Sequence, residues 1–385
     1  MESSSKIYKL LPIMLAFFVM GFVDLVGIAA NYVKVDCNLS DTRANLMPSM
    51  VFSCFLILAV PTGLLMNKIC RKKTVLLSIL VMIPSLLIPL ITYSFPSMLL
   101  SFVLLGVGNT LLQVSLNPLL AGIVSGKRMS SSLTFGQFVK AIASFLAPII
   151  AAWAVVKFGD WRMILFPGFA AIAVISLIYL GLTRYEEDNN ELKAVSFRDC
   201  FSLLKDKYIL FFFLGIMAHV GLDVGINTTA PKLLIENLGL SLADAGFATS
   251  FYFIFRTAGC LMGTYLLAQF GDKKIFLIST ILILLGILCL FTSNKTILYL
   301  GIAAFGLGNS NIFPVMFSQA LVRSRGSQNE VSGLMITGIV GGAIIPLLMG
   351  VFSDALGSQV GALIVLLVCI AFLLFLVSPK VTHTR

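Results

Sequence analysis

The sequence predicts an all-α integral membrane protein: twelve transmembrane helices in two pseudo-symmetric six-helix bundles. Three observations lead there. The composition is too apolar for water, twelve apolar runs have membrane-crossing length, and the two halves repeat at an offset close to 200 residues. Of 385 residues, 58% are hydrophobic and 11% charged, against about 25% charged in soluble domains. Mean hydropathy is +1.01. A soluble enzyme, a disordered chain and a nucleic-acid-binding domain are all excluded, despite a net charge of +10.

A bilayer core of ~30 Å takes ~20 apolar residues as a helix. Runs of that kind cover 9–33, 45–66, 74–92, 97–122, 131–156, 162–182, 208–232, 242–269, 274–292, 296–321, 330–352 and 358–378. Lys6 and Lys9 before the first run resemble the start of a signal peptide. Eleven further runs follow, however, and Asp24 interrupts the first, so it reads as a retained membrane helix. Most breaks are short. The charged stretch 184–207 is longer and reads as a cytoplasmic linker between an N-terminal bundle (1–183) and a C-terminal bundle (208–385). With the N-terminus inside, Lys and Arg divide 19 inside to 6 outside, and Lys140 and Arg256 lie within runs. The positive-inside rule then puts both termini in the cytoplasm. The expected location is the plasma membrane, the inner membrane of a bacterium, and the net charge is explained as topology. Seven cysteines without a CxxC pair and only two His argue against a disulfide framework and a metal site. Gly106 and Gly306 open GxGN motifs inside apolar runs, which are not phosphate loops. No cofactor is expected.

The repeat is clearest in LLGVGNTLLQ at 104–113 against AFGLGNSNIF at 304–313. Gly21-Phe-Val-Asp24 faces Gly221-Leu-Asp223, and Pro148 faces Pro346, in the same order. Two parallel six-helix repeats are a transporter architecture with its substrate site near the bilayer midplane. After run two, Gly63-Leu-Leu-Met-Asn67-Lys68-Ile-Cys70-Arg71-Lys72 fits the spacing G-x3-D-[RK]-x-G-[RK]-[RK], with Asn67 for Asp and Cys70 for Gly. On that motif, the topology and the linker, the chain resembles the major facilitator superfamily. The resemblance implies conformational gating by Gly63, Asn67 and Arg71, with the charge contact weakened by the missing Asp. In the second half, Gly263-Thr-Tyr-Leu-Leu267 keeps little beyond its glycine. Within that superfamily the chain is similar to the fucose permease and related sugar–proton symporters. The carrying residues are Asp24, Asn117-Pro118, Gln137, and Arg256 with Gly263-Thr264. Gln113 stands where those proteins typically have Glu, and Lys140 where they have Asn, which removes one candidate proton carrier and adds a buried cation.

An ion at the bilayer centre costs ~3 kcal/mol on insertion scales, so intramembrane charges face a cavity or a partner. Asp24, Lys140, His219, Asp223 and Arg256 fall deep in the runs, one Asp and one strong base per half. That balance predicts two pairs, Asp24 with Lys140 and Asp223 with Arg256. Asp24 is expected to couple transport to a proton, because burial disfavours its charge while a neighbouring cation favours it; the alternative is a fixed ion pair. Lys140 either pairs with Asp24, binds an anionic group of the solute, or snorkels. Its distance from Ser131, ~14 Å of helix, is long for snorkelling. His219, one turn before Asp223, either relays protons or faces a neighbouring helix.

Sugar hydroxyls need both donors and acceptors, and amides supply both. The candidate substrate-binding set is Asn31, Asn109, Gln113, Asn117, Gln137, Lys140, Asp223, Asn227, Arg256, Asn309 and Asn311, with Gln319 as a further amide. The alternative for each amide is interhelical hydrogen bonding. Thirty-one Phe are membrane composition, and Trp153 and Trp161 fit an interfacial belt. The function expected is secondary active import of a monosaccharide or sugar derivative, acidic sugars included, with a proton. The partners are that solute, the proton and the lipid bilayer, and the chain is expected to be a monomer. Efflux of small amphipathic compounds and sodium-coupled sugar uptake are the alternatives.

Overall fold

A computed structural model of the chain describes residues 2–39, 43, 46–124, 128–185, 196–240, 242–324 and 326–377. Nearly all of those residues are helical, with no strand among them. In chain order the helices are α1 (Glu2–Met20), a 3-10 turn (Gly21–Leu25), α2 (Val26–Asp36), α3 (Leu46–Ile69), α4 (Arg71–Ile91), α5 (Phe95–Ile123), α6 (Met129–Phe158) and α7 (Arg162–Leu182). There follow α8 (Phe197–Ser202), α9 (Lys207–Leu238), α10 (Leu242–Phe270), α11 (Asp272–Cys289), α12 (Lys295–Asn309), α13 (Ile312–Arg323), α14 (Gln328–Thr337), α15 (Gly341–Leu356) and α16 (Val360–Val377). Each apolar run lies on one helix or on a broken helix, and among the described residues 11 segments are long and apolar enough to cross a membrane. The run at 274–292 is helical as α11, but Asp272, Lys273 and Lys274 open its 18 residues. The predicted linker 184–207 holds α8 near its end, while 186–195 lie outside the described residues.

Helix ends follow local chemistry. Ser94 and Ser97 form a reciprocal capping box at α5, with proline in its first turn. Asp206 caps α9 by accepting from the Tyr208 N–H at 2.8 Å. Gly239 and Gly357 close α9 and α15 in the left-handed conformation, which costs glycine nothing. The outer surface is apolar, with Ile91, Val156 and Leu182 among its exposed side chains, as a lipid-facing surface requires.

The GxGN repeat has a packing cause. A Cβ on Gly106 would lie 2.9 Å from Val51 Cα, and one on Gly108 would lie 3.0 Å from Ser78 O. In the second half, a Cβ on Gly306 would lie 2.8 Å from Tyr252 O, and one on Gly308 2.5 Å from Ser279 O. In both halves these glycines let a central helix cross two others at backbone contact. Trp161 departs from the expected interfacial belt. It is 3% exposed, stacks on Tyr32 at 5.2 Å, and donates from Nε1 to Tyr93 Oη at 3.4 Å. Trp153 is exposed.

The chain forms two compact units. One comprises Met1–Ser125, Val139–Phe201 and Gly326–Thr337; the other comprises Gly126–Phe138, Ser202–Arg325 and Gly338–Arg385. Each unit therefore contains one short segment from the opposite half of the sequence. Local hydrogen bonds hold these segments. Ser332 Oγ donates to Val114 O at 2.6 Å in the first unit, and Ser131 Oγ donates to Thr264 O at 2.5 Å in the second.

Candidate functional site

In the first unit, Asp24 sits on the 3-10 turn after α1, beside Gly21. A Cβ at Gly21 would lie 2.5 Å from Lys140 O and 2.7 Å from Ala143 Cβ, so α6 passes at backbone distance. That close crossing delivers Lys140 and Ser144, one helical turn apart, to the aspartate. Lys140 Nζ lies 3.5 Å from Asp24 Oδ1, and Ser144 Oγ donates to Asp24 Oδ2 at 2.6 Å. The Asp24 side chain is 36% exposed and that of Lys140 18%.

Beside this pair runs an amide ladder on α5. Asn109 Nδ2 donates to Met20 O at 2.9 Å, Gln113 Nε2 to Asn109 Oδ1 at 3.0 Å, and Asn117 Nδ2 to Gln113 O at 3.0 Å. All three are buried. Gln137 is partly buried on α6, one turn before Lys140. The side chain of Asn31 lies outside the described residues.

In the second unit, α9 presents His219, Asp223 and Asn227 at successive four-residue steps, one face of a helix. Arg256 Nη1 lies 3.1 Å from Asp223 Oδ2. Tyr252 Oη donates to Asp223 Oδ1, and Asn309 Nδ2 donates to the same oxygen at 3.2 Å and to Tyr252 Oη at 2.9 Å. Asn227 Nδ2 donates to the Asp223 carbonyl at 2.8 Å. His219 is 2% exposed, its ring 6.4 Å from that of Phe313. Asn311 is placed differently. It starts α13, donates to Ser310 Oγ at 2.9 Å and fills the space above Gly263, where a Cβ would lie 1.7 Å from its Oδ1. Gln319 Nε2 donates to Asp272 Oδ2 at 2.6 Å, away from Asp223.

Both expected acid–base pairs are thus present. Sequence reasoning passed over Ser144 and Tyr252 as partners, yet each stands four residues from the base it accompanies, Lys140 and Arg256. Asn117 and Asn227 share a further property: each has a buried side-chain oxygen that accepts no hydrogen bond from another described residue. A buried acceptor without a donor costs ~1–3 kcal/mol, and a hydroxyl-rich solute supplies donors.

The motif from Gly63 to Lys72 lies at the α3–α4 turn, where Arg71 Nε donates to Asn329 Oδ1 at 2.7 Å, Asn329 Nδ2 to Asn67 Oδ1 at 2.7 Å and Asn67 Nδ2 to Glu330 Oε1 at 2.5 Å. Gly63, Asn67 and Arg71 meet residues 328–333 in the first unit. Cys70 adopts φ 70° and ψ 161°, and Gly271 at the corresponding α10–α11 turn adopts φ 78° and ψ 165°. This backbone is glycine's, and a cysteine in it is strained.

A family model described as Major Facilitator Superfamily matches residues 13–231 and again 211–385. The chain belongs to the major facilitator superfamily. A glucose/galactose transporter of Brucella abortus biovar 1 (strain 9-941) is 25% identical over 391 residues, spanning 97% of this chain and 94% of that protein. The solved structure of the E. coli fucose:proton symporter is similar with a TM-score of 0.80 at 17% identity, over 99% of this chain and 100% of that one. A proton:xylose symporter is similar with a TM-score of 0.71 at 14% identity, over 98% and 96%. At those identities the two structures show the fold. This superfamily member is a multi-pass membrane transporter and not an enzyme.

Proposed function

We propose that the protein imports a monosaccharide or sugar derivative together with a proton, by alternating access between two six-helix halves with twelve crossings in all. The observation that carries this reading is the Asp24–Lys140–Ser144 cluster. A carboxylate inside an apolar segment is paired at 3.5 Å with one cation and remains 36% exposed. A ligand shifts a conformational equilibrium only through its differential affinity for the states. Protonating Asp24 releases Lys140, so the protonation state changes the contacts between α6 and the α1–α2 turn. The unused amide oxygens supply acceptors for hydroxyls, in line with a relative that is a glucose/galactose transporter and neighbours that are sugar symporters. An acidic sugar is the second reading, because Lys140 and Arg256 bring two partly exposed cations. Both termini lie in the cytoplasm of a plasma-membrane monomer, as the 19 to 6 charge division supports.

The test is uptake by proteoliposomes under an imposed pH or sodium gradient, screened against neutral, amino and acidic sugars. Accumulation driven by the proton gradient supports the proposal. Accumulation driven by sodium alone overturns the coupling ion, and flux of amphipathic compounds with no sugar flux overturns the substrate class.

A further inference from the structure

The segment that carries Asp24 is a break in a helix. Gly21–Leu25 forms a 3-10 turn between α1 and α2, and the Val26 N–H closes it onto Val23 O. A short 3-10 stretch inside a helix is a common place for a hinge. A hinge fixes a side chain only if both of its arms are held. On the near side, α6 crosses Gly21 at backbone distance. The far end of α2, about 15 Å of helix beyond Val26, is held by a separate group of side chains in the first unit. There Asp36 accepts from Tyr93 Oη, and Tyr32 stacks on Trp161 with ring planes 11° apart. Trp161 Nε1 donates to the same Tyr93 oxygen, so this one hydroxyl joins Asp36 to Trp161.

Arg162 seats Tyr93. Its Cζ lies 3.6 Å from the centre of the Tyr93 ring, within cation–π range. Its Nε donates to Asp160 Oδ1 at 2.9 Å, Nη2 to Asp160 Oδ2 at 2.5 Å, and Nη1 to Pro89 O at 2.7 Å, near the end of α4. Burial, and then the bond to Asp36, pushes the Tyr93 hydroxyl above its ordinary range, so it keeps its proton and donates. Residues 160–162 form the corner where α6 ends and α7 begins. The same α6 carries Lys140 and Ser144, partners of Asp24. The group therefore joins the far ends of the two helices that meet at the Asp24 cluster.

We propose that Tyr93 is a positioning residue for Asp24: with Asp36 and Trp161 it clasps the far end of α2 to the α6–α7 corner, and this sets the meeting of Asp24 with Lys140. Its bearing on proton coupling rests on the role given to Asp24 above; its bearing on the pair does not. With the clasp closed, α2 and α6 are joined at two points, and the 3-10 turn has little freedom to swing. Without the Tyr93 hydroxyl, Asp36 and Trp161 lose their common partner, and α2 pivots on that turn.

Tyr93→Phe keeps the ring under Arg162 and removes only the hydroxyl. Thermal midpoints in detergent are compared for the full-length parent, Tyr93→Phe, Lys140→Ala and the double variant. Distant sites that share no partner have additive losses. The double variant should lose clearly less than the sum of the single losses, because Tyr93 acts in part through a pair that Lys140→Ala has already broken. Additive losses overturn the proposal. In proteoliposomes, with the sugar that the uptake screen selects, Tyr93→Phe should accumulate about fivefold less under a proton gradient, while counterflow stays within about twofold of the parent. A hydroxyl that served packing alone would lower both or neither, and either result overturns its role in coupling. Asp36→Asn keeps an acceptor for Tyr93 and should behave as the parent does. Asp36→Ala should behave as Tyr93→Phe does, and replaces it in both assays if Tyr93→Phe does not fold. A parent without proton-driven uptake refutes the coupling role of Asp24, and the melting comparison, which needs no solute, then decides the positioning by itself.

Discussion

Each half of the sequence places one aspartate and one base inside apolar segments, and the two halves hold them differently. Asp24 and Asp223 correspond in the repeat, but Lys140 comes from α6 and Arg256 from α10, which do not correspond. Asp24 has a lysine at 3.5 Å, one serine hydroxyl and 36% exposure. Asp223 has an arginine at 3.1 Å, with Tyr252 and Asn309 on its second oxygen and half that exposure, 18%. Both carboxylates meet donors on both oxygens, but the lysine on Asp24 stands at 3.5 Å with one hydroxyl beside it, whereas Asp223 takes an arginine at 3.1 Å and two further donors. The proposed mechanism assigns proton exchange to the less crowded carboxylate, Asp24, and a fixed frame to Asp223.

The largest effect separates the two aspartates in transport. Asp24→Asn should lower proton-driven accumulation at least tenfold while solute exchange persists, as measured by uphill uptake and counterflow in the same proteoliposomes. Full accumulation by that variant would return Asp24 to a structural role. Asp223→Ala should act on stability instead. It removes one acceptor from each of Arg256, Tyr252 and Asn309, at a cost of about 2–3 kcal/mol, seen as a lower thermal midpoint in detergent. Asp24→Ala should cost under half as much, and equal losses would erase the distinction. Tyr252→Phe removes one hydroxyl donor and should cost ~1 kcal/mol in the same melt.

The turns offer a milder contrast. Cys70→Gly should raise the thermal midpoint, a gain of about 1 kcal/mol, because a left-handed cysteine carries strain that Gly271 avoids. The smallest effect concerns Asp206, outside the membrane-spanning segments. Burial pushes its carboxyl up, but hydrogen bonds from Arg323 and the Tyr208 N–H, with the guanidinium charge, hold it below the usual range. A depressed carboxylate contributes stability above its unfolded value of ~3.9 and loses it as pH falls through the folded one. Stability of the parent should therefore fall in that acid window by ~0.5 kcal/mol or less more than that of Asp206→Asn, since the pair is partly exposed and screened. Melts at stepped pH would check the sign.

Much of this site was legible in advance. Asp24, Lys140, Asp223 and Arg256 stood out because lipid makes every intramembrane charge conspicuous, and one acid with one base per half left little choice of partner. Asn109, Gln113 and Asn117 were readable as one face of a helix from their four-residue spacing. Asn311 was not. It looks like a binding amide beside Asn309, but the break between α12 and α13 turns it onto Gly263. Glu330 was also hidden, since a single carboxylate at the edge of an apolar run looks like an ordinary surface charge. Asn67 looked like a weakened acid until its neighbour was known.

By itself the sequence determined the helices, their membrane character and the charges that need shelter, because those follow from residue type and spacing along one chain. Tertiary structure alone decided which amides keep a spare oxygen, which way the bond chain from Arg71 to Glu330 runs, and that 326–337 packs in the unit of the opposite half. The last two depend on contacts between residues more than 200 positions apart, which helix periodicity does not encode.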